Sequence, residues 1–183
     1  MAGRKVCIIT DTHFGVRKGS QIFHDYFEKF YRETFFPALD SLGITTVLHL
    51  GDAFDVRKGI ELHMIVGNHD IFYKQSLRIN SPNLNLAEYD NITVYGSPET
   101  VVIEGTEIFM VPWICEDNAA EFTSACSITD ASICMGHLEL AGFYANKDYQ
   151  CQHGTDPKVF DKFDTVFSGH FHKRSSAGNI TYL

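Results

Sequence analysis

The chain has 183 residues, 44% of them hydrophobic, which is enough for one soluble globular domain with a sizeable core. Its formal net charge of −8 sets aside a protein that grips nucleic acid by bulk positive charge, yet it is compatible with a nuclease. No apolar stretch nears the roughly 20 residues needed to cross a bilayer, and five cysteines without a Cys-x-x-Cys pair point to neither a disulfide framework nor a zinc knuckle, so a cytoplasmic protein with no membrane association and reduced thiols is expected.

Lys5 to Thr10 reads as a short buried strand, apolar almost throughout as when both faces of a sheet are covered. It ends in Asp11-Thr12-His13, and ligand sites of open α/β sheets form beyond such carboxyl ends. From Gln21 to Leu42, Ile22, Phe23, Tyr26, Phe27, Phe30, Phe35, Leu39 and Leu42 recur at three- and four-residue steps. This spacing predicts an amphipathic helix packed on the sheet, kinked or split at Pro37 and ended before Gly43.

Thr45 to Leu50, rich in β-branched residues, predicts a second strand that runs into Gly51-Asp52-Ala53-Phe54-Asp55. Leu62 to Val66 predicts a third, running into Gly67-Asn68-His69-Asp70. Six residues separate Asp55 from Leu62, whereas a parallel pair needs a crossover of about a dozen or more. One crossover helix is therefore expected to be missing, or the strands to be joined in an unusual way.

Ile71 to Asp90 reads as polar and turn-rich, with room for a short helix around Leu84 to Tyr89. Short strands follow at Ile92 to Tyr95, Thr100 to Ile103 and Glu107 to Val111, the last two joined by the hairpin signal Glu104-Gly105-Thr106. Pro112-Trp113 closes this segment, with Trp113 expected as a core anchor, and Asp117 to Ala125 reads as a weak helix. Ala131 to Met135 predicts a buried strand ending in Gly136-His137. The loop from Glu139 to Thr155 carries Phe143, Tyr144 and Tyr149 and is long enough to be a lid or a binding loop. The strand Asp164 to Ser168 then delivers Gly169-His170-Phe171-His172, and Asn179 to Leu183 reads as a further strand, cut short.

Collected from five strand ends, Asp11, His13, Asp52, Asn68, His137, His170 and His172 form a set of carboxylate, carboxamide and imidazole groups without a thiolate. Such ligands favour manganese, iron or zinc over magnesium, and seven of them suffice for two ions sharing one carboxylate. Two carboxylates against two divalent cations leave a positive field suited to a phosphate. Eight of the fifteen Lys and Arg residues follow these clusters closely (Arg17, Lys18, Arg57, Lys58, Lys74, Arg78, Lys173, Arg174), which would gather positive charge on one rim.

The ordered motifs Asp-x-His, Gly-Asp-x-x-Asp, Gly-Asn-His-Asp, Gly-His and Gly-His-x-His resemble the calcineurin-like metallophosphoesterase superfamily. Gly-Asp-Ala-Phe-Asp-Val-Arg-Lys, Ile-Val-Gly-Asn-His-Asp, Val-Pro-Trp-Ile-Cys-Glu-Asp-Asn and Gly-His-Leu-Glu-Leu-Ala-Gly-Phe are similar to its SbcD- and Mre-type DNA repair nucleases, those of T-even-type phage recombination complexes above all. The resemblance covers Lys5 to Leu183 and implies an α/β calcineurin-like phosphoesterase fold, a β-sandwich of two mixed sheets flanked by helices. Residues 1–183 then form one nuclease domain with a truncated C-terminus, without the capping or ATPase-docking segments of longer members.

By the same resemblance, Asp11, His13 and His172 match the ligands of one metal ion, Asn68, His137 and His170 those of a second, and Asp52 the bridging carboxylate. His69 matches the group that assists departure of the sugar oxygen, while Asp55 and Asp70 are placed to orient histidines. The implied reaction is hydrolysis of DNA phosphodiester bonds by a hydroxide held between two ions, manganese foremost, with Fe2+ or Zn2+ as alternatives. The implied partners are DNA, a Rad-type, SbcC-like ATPase subunit and, in full-length members, a second copy of the chain. Two alternatives stand beside this reading: a metallophosphoesterase for small phosphoesters, and an inactive fragment or binding subunit.

Overall fold

The computed structural model describes residues 5–10, 12, 21–51, 61–87 and 89–183, with the side chains of residues 21, 23 and 24 outside the description. Strands β1 (Val6–Ile9), β2 (Thr46–His49), β3 (Glu61–Ile65) and β6 (Ile92–Tyr95) pair in that order, all parallel. A second sheet has the order β11 (Ser175–Ala177), β12 (Ile180–Tyr182), β10 (Thr165–Ser168), β9 (Ile133–Gly136), β8 (Thr106–Val111) and β7 (Glu99–Ile103). Its four inner strands are parallel and its two edge strands antiparallel, so among the described residues the mixed pairing expected of both sheets is found in this one. Between β3 and β6, β4 (Ile71–Tyr73) and β5 (Ser76–Asn80) make a separate hairpin.

Alternation along the strands builds a layered molecule. Leu48, Leu50, Ile65 and Tyr95 of the first sheet meet Ile103, Ile108, Met110 and Met135 of the second in a shared core between the sheets. The opposite face of the first sheet, through Val47, Leu62 and Met64, packs on Leu39 and Leu86 of two helices. That of the second, through Phe109, Val111, Cys134 and Val166, packs on Phe122, Phe160 and the long loop. Each fully buried side chain of this kind contributes about 1.5–3 kcal/mol.

Pro37 divides the predicted long helix. It becomes α1 (Gln21–Phe30), a π-helical turn (Tyr31–Phe35) and α2 (Phe36–Leu42), with the proline in the first turn of α2 and Gly43 ending it at φ 66°. One extra residue in a turn rotates the next helical segment by about 100°, so the aromatic stripe does not stay on one face. Phe35, Phe36 and Leu39 pack on the first sheet, whereas Ile22 and Tyr26, expected in the core, are 79% and 76% exposed.

The hairpin signal holds: Glu104 and Gly105 both have positive φ, 50° and 79°, as a two-residue turn between right-twisted strands requires. The weak helix becomes α4 (Ala119–Ile128). The short helix near residue 84 starts three residues earlier as α3 (Ser81–Leu86), because Asn80 caps it by accepting from the Asn83 backbone N–H at 2.8 Å and Pro82 sits in its first turn. β2 and β3 are parallel neighbours joined by residues 50–60. The expected loss of a crossover helix concerns 55–62, most of which lies outside the described residues.

Candidate metal centre

The centre is built where strands of both sheets end. His137 follows β9, is fully buried, and has Nδ1 3.0 Å from the Leu50 carbonyl at the end of β2. A carbonyl can only accept, so in the neutral ring Nδ1 carries the proton and donates it, and Nε2 presents its lone pair. That lone pair faces Oδ1 of Asn68, beyond β3, at 2.8 Å. Nδ1 of His170, beyond β10, lies 3.1 Å from the same oxygen.

Two imidazole nitrogens thus converge on one carboxamide oxygen. Neighbouring ligands of a six-coordinate ion, each about 2.1 Å from it, lie about 3.0 Å apart, so the observed spacings fit a shared divalent cation. The donor chemistry fits as well, since mixed nitrogen and oxygen ligands suit manganese, iron or zinc. Among the described residues no three His, Cys, Asp or Glu side chains form a metal-holding group, because the third donor here is an asparagine. Asp11, His13, Asp52 and Asp55 lie outside the described residues.

Local backbone sets these side chains. Gly51 has φ 111°, and a Cβ built on it would come within 2.4 Å of Nδ1 of His137, so only glycine lets that ring reach the Leu50 carbonyl. His170 adopts φ 83°, a conformation costing about 1–3 kcal/mol for a residue with a Cβ. Buried Phe171 holds that turn by stacking on Tyr182 at 4.9 Å, while His172 stays exposed. Asp70 closes the Gly67–Asp70 turn by accepting from the Gly67 N–H at 2.8 Å, which fixes Asn68 and leaves His69 exposed beside it.

Trp113 forms the wall. Its backbone N–H donates to the Val66 carbonyl at 2.8 Å, and its ring lies 5.0 Å from that of His170 and 6.3 Å from that of His137. The expected core anchor is thus half-buried against the imidazoles. Buried Asn118 holds the segment by donating to the Trp113 carbonyl at 2.9 Å and accepting from the Cys115 N–H at 2.8 Å. Leu50, Gly51 and Asn118 were not among the expected site residues. Gly51 and Asn118 stand inside the family-like motifs, but a carbonyl acceptor such as that of Leu50 leaves no trace in side-chain type.

Of the loop aromatics, Phe143 is buried in the core, whereas Tyr144 is exposed with the Lys173 ammonium 4.5 Å from its ring centre. Among the described residues no helix is long and apolar enough to cross a membrane.

The model of the calcineurin-like phosphoesterase family matches residues 4–174. Exonuclease subunit 1 of Enterobacteria phage T4 is 40% identical over 77% of this chain, which spans about half of that relative's length, 47%. A solved protein of unknown function from Aquifex aeolicus aligns over 80% of this chain and 82% of its own at 16% identity, with a TM-score of 0.37. With its strand-end residues in the family's order and nearly its whole length matched, the chain belongs to the calcineurin-like phosphoesterases.

Proposed function

We propose that the chain is a divalent-metal-dependent DNA nuclease that hydrolyses phosphodiester bonds, exonucleolytically at duplex ends and endonucleolytically on single strands. The convergence of His137 and His170 on Asn68 at the rim shared by both sheets carries this reading. Forty per cent identity to an exonuclease subunit supports DNA as the substrate and a second kind of subunit as partner. In this reading that partner is a Rad-type, SbcC-like ATPase of a recombination and repair complex, and the assembly holds two copies of the chain.

In this reading Asn68, His137 and His170 would hold one ion and Asp11, His13 and His172 the other, with Asp52 a carboxylate available to both and manganese the preferred metal. Such ions, when bound, neutralise phosphate charge and lower the pKa of the attacking water. The chain's own groups do the rest. The Leu50 carbonyl keeps His137 in the tautomer that offers Nε2. Trp113 keeps water from one side of the imidazoles. His69, exposed next to Asn68, gives a proton to the departing sugar oxygen, with Asp70 fixing its turn and Asp55 assisting.

Incubation of the protein and manganese with labelled duplex DNA, single-stranded DNA and a chromogenic phosphodiester tests this. Both DNAs should be cut, and His69→Ala should slow DNA cutting by about a hundredfold or more. Cleavage of the small ester alone would replace a nuclease with a small-phosphoester hydrolase. No cleavage, together with no bound metal, would leave a binding subunit.

A further inference from the structure

The β4–β5 hairpin begins directly after Gly67-Asn68-His69-Asp70, and its surface does not resemble an ordinary solvated turn. Phe72 is 75% exposed, Tyr73 57% and Ile79 42%, with the two rings edge to face at 4.9 Å. Residues 71–80 contain Lys74 and Arg78 and no acid, on a chain whose net charge is −8. Asp70 precedes the hairpin with its side chain turned back to the Gly67 N–H, and Asp117 lies 3.4 Å from Arg78 and accepts from the Ser76 hydroxyl at 2.8 Å.

These contacts, with the Glu116 N–H donating to the Gln75 side chain at 3.3 Å, fix the hairpin to the segment that follows Trp113. Ile71 and Leu77 anchor its other face against Val66 and Cys115. The exposed rings are therefore presented by a braced element. Three peptide units place Phe72 within about 11 Å of His69, or about three stacked nucleotides.

We propose that this hairpin is a stacking platform for the single-stranded end of the DNA whose phosphodiester lies at the metal centre, Phe72 and Tyr73 taking bases and Lys74 a phosphate. This rests on the nuclease reading above and adds the element that holds the substrate. Exposed aromatic rings beside a cation are the usual means of binding single strands without sequence preference. The absence of acidic residues from the hairpin suits a polyanion.

Fluorescence anisotropy of a labelled oligothymidylate, with EDTA present so that nothing is cut, tests it. Phe72→Ala and Tyr73→Ala should each weaken binding about five- to a hundredfold. Phe72→Trp should keep the affinity, and Phe72→Leu, apolar but unable to stack, should lose it as alanine does. Lys74→Gln should lower the salt slope by about 0.7. All of these variants should retain the wild-type melting temperature and turnover of a small chromogenic phosphodiester. An abasic oligonucleotide should not distinguish wild type from the alanine variants.

Equal oligonucleotide binding by wild type and both alanine variants would overturn the platform, as expected if a protein covers the rings instead, while DNA cutting by the wild type would leave the nuclease reading intact. Full affinity in Phe72→Leu would overturn base stacking. A wild type that neither binds nor cuts DNA would overturn both.

Discussion

A single missing atom at Gly51 decides whether His137 can serve the centre. At φ 111° a side chain is strained by about 1–3 kcal/mol, and its Cβ would collide with Nδ1 of His137 at 2.4 Å. Gly51→Ala should therefore cut phosphodiester turnover by about a hundredfold, the usual effect of a displacement near 1 Å. Melting should fall by only about 2–12 °C, since each kcal/mol moves a chain of this size by about 2–4 °C. Wild-type turnover in the variant would show that His137 is placed by something else. His63 illustrates a different residue-scale effect. It is buried, with Nδ1 2.6 Å from the Tyr95 hydroxyl, and burial pulls its pKa below 6.5, opposed by exposed Glu61 at 3.5 Å. The unfolded chain then takes up this proton first, so the contribution is whole above about pH 6.5 and is lost as pH falls toward the lowered value. The urea midpoint should drop between about pH 7 and pH 5, and the drop should be smaller in His63→Gln. Identical pH slopes in the two proteins would remove His63 as the cause.

Among the elements, the segment from β8 into α4 carries more of the site than its weak helical pattern suggests. Asn118 bonds at both ends of the Trp113–Cys115 turn, and the turn holds the wall against His137 and His170. Asn118→Ala should cost about 1–3 kcal/mol from the unmet backbone groups and shift the emission of Trp113, the sole tryptophan. An unchanged spectrum would show the turn to be held without it. Side chains that act through such backbone contacts are harder to read from sequence than those at strand ends. The ends bearing Asn68, His137 and His170 were legible because short apolar runs stop at polar clusters, and Glu104-Gly105 because its turn demands positive φ. The β4–β5 hairpin was not, since its exposed Phe72 and Tyr73 break the alternation that marks a half-buried strand. The cap at Asn80 resembled a turn, because Asn-Ser-Pro serves both purposes until the next backbone N–H is seen to bond. β11 hides in Ser175-Ser176-Ala177, a sequence with little strand character that is held by pairing with β12.

Across the whole molecule, the two sheets share a core and meet again at the rim. Trp113 donates to Val66, and His137, from the second sheet, reaches both Leu50 and Asn68 of the first. A cation held by Asn68 together with His137 and His170 would therefore clamp one sheet to the other, and its binding energy would add to global stability instead of tightening one loop. At a free manganese concentration about a hundred times Kd, linkage contributes about 2.7 kcal/mol, or roughly 5–11 °C in melting temperature for a chain of this size. Asn68→Ala should lose most of that rise, whereas Phe72→Ala, altered only on the exposed hairpin, should keep it. EDTA should reverse the rise in the wild type and do little to Asn68→Ala. Equal manganese shifts in Asn68→Ala and the wild type would place the ion away from the junction of the sheets, and the convergence of the two imidazoles on Asn68 would then need another cause.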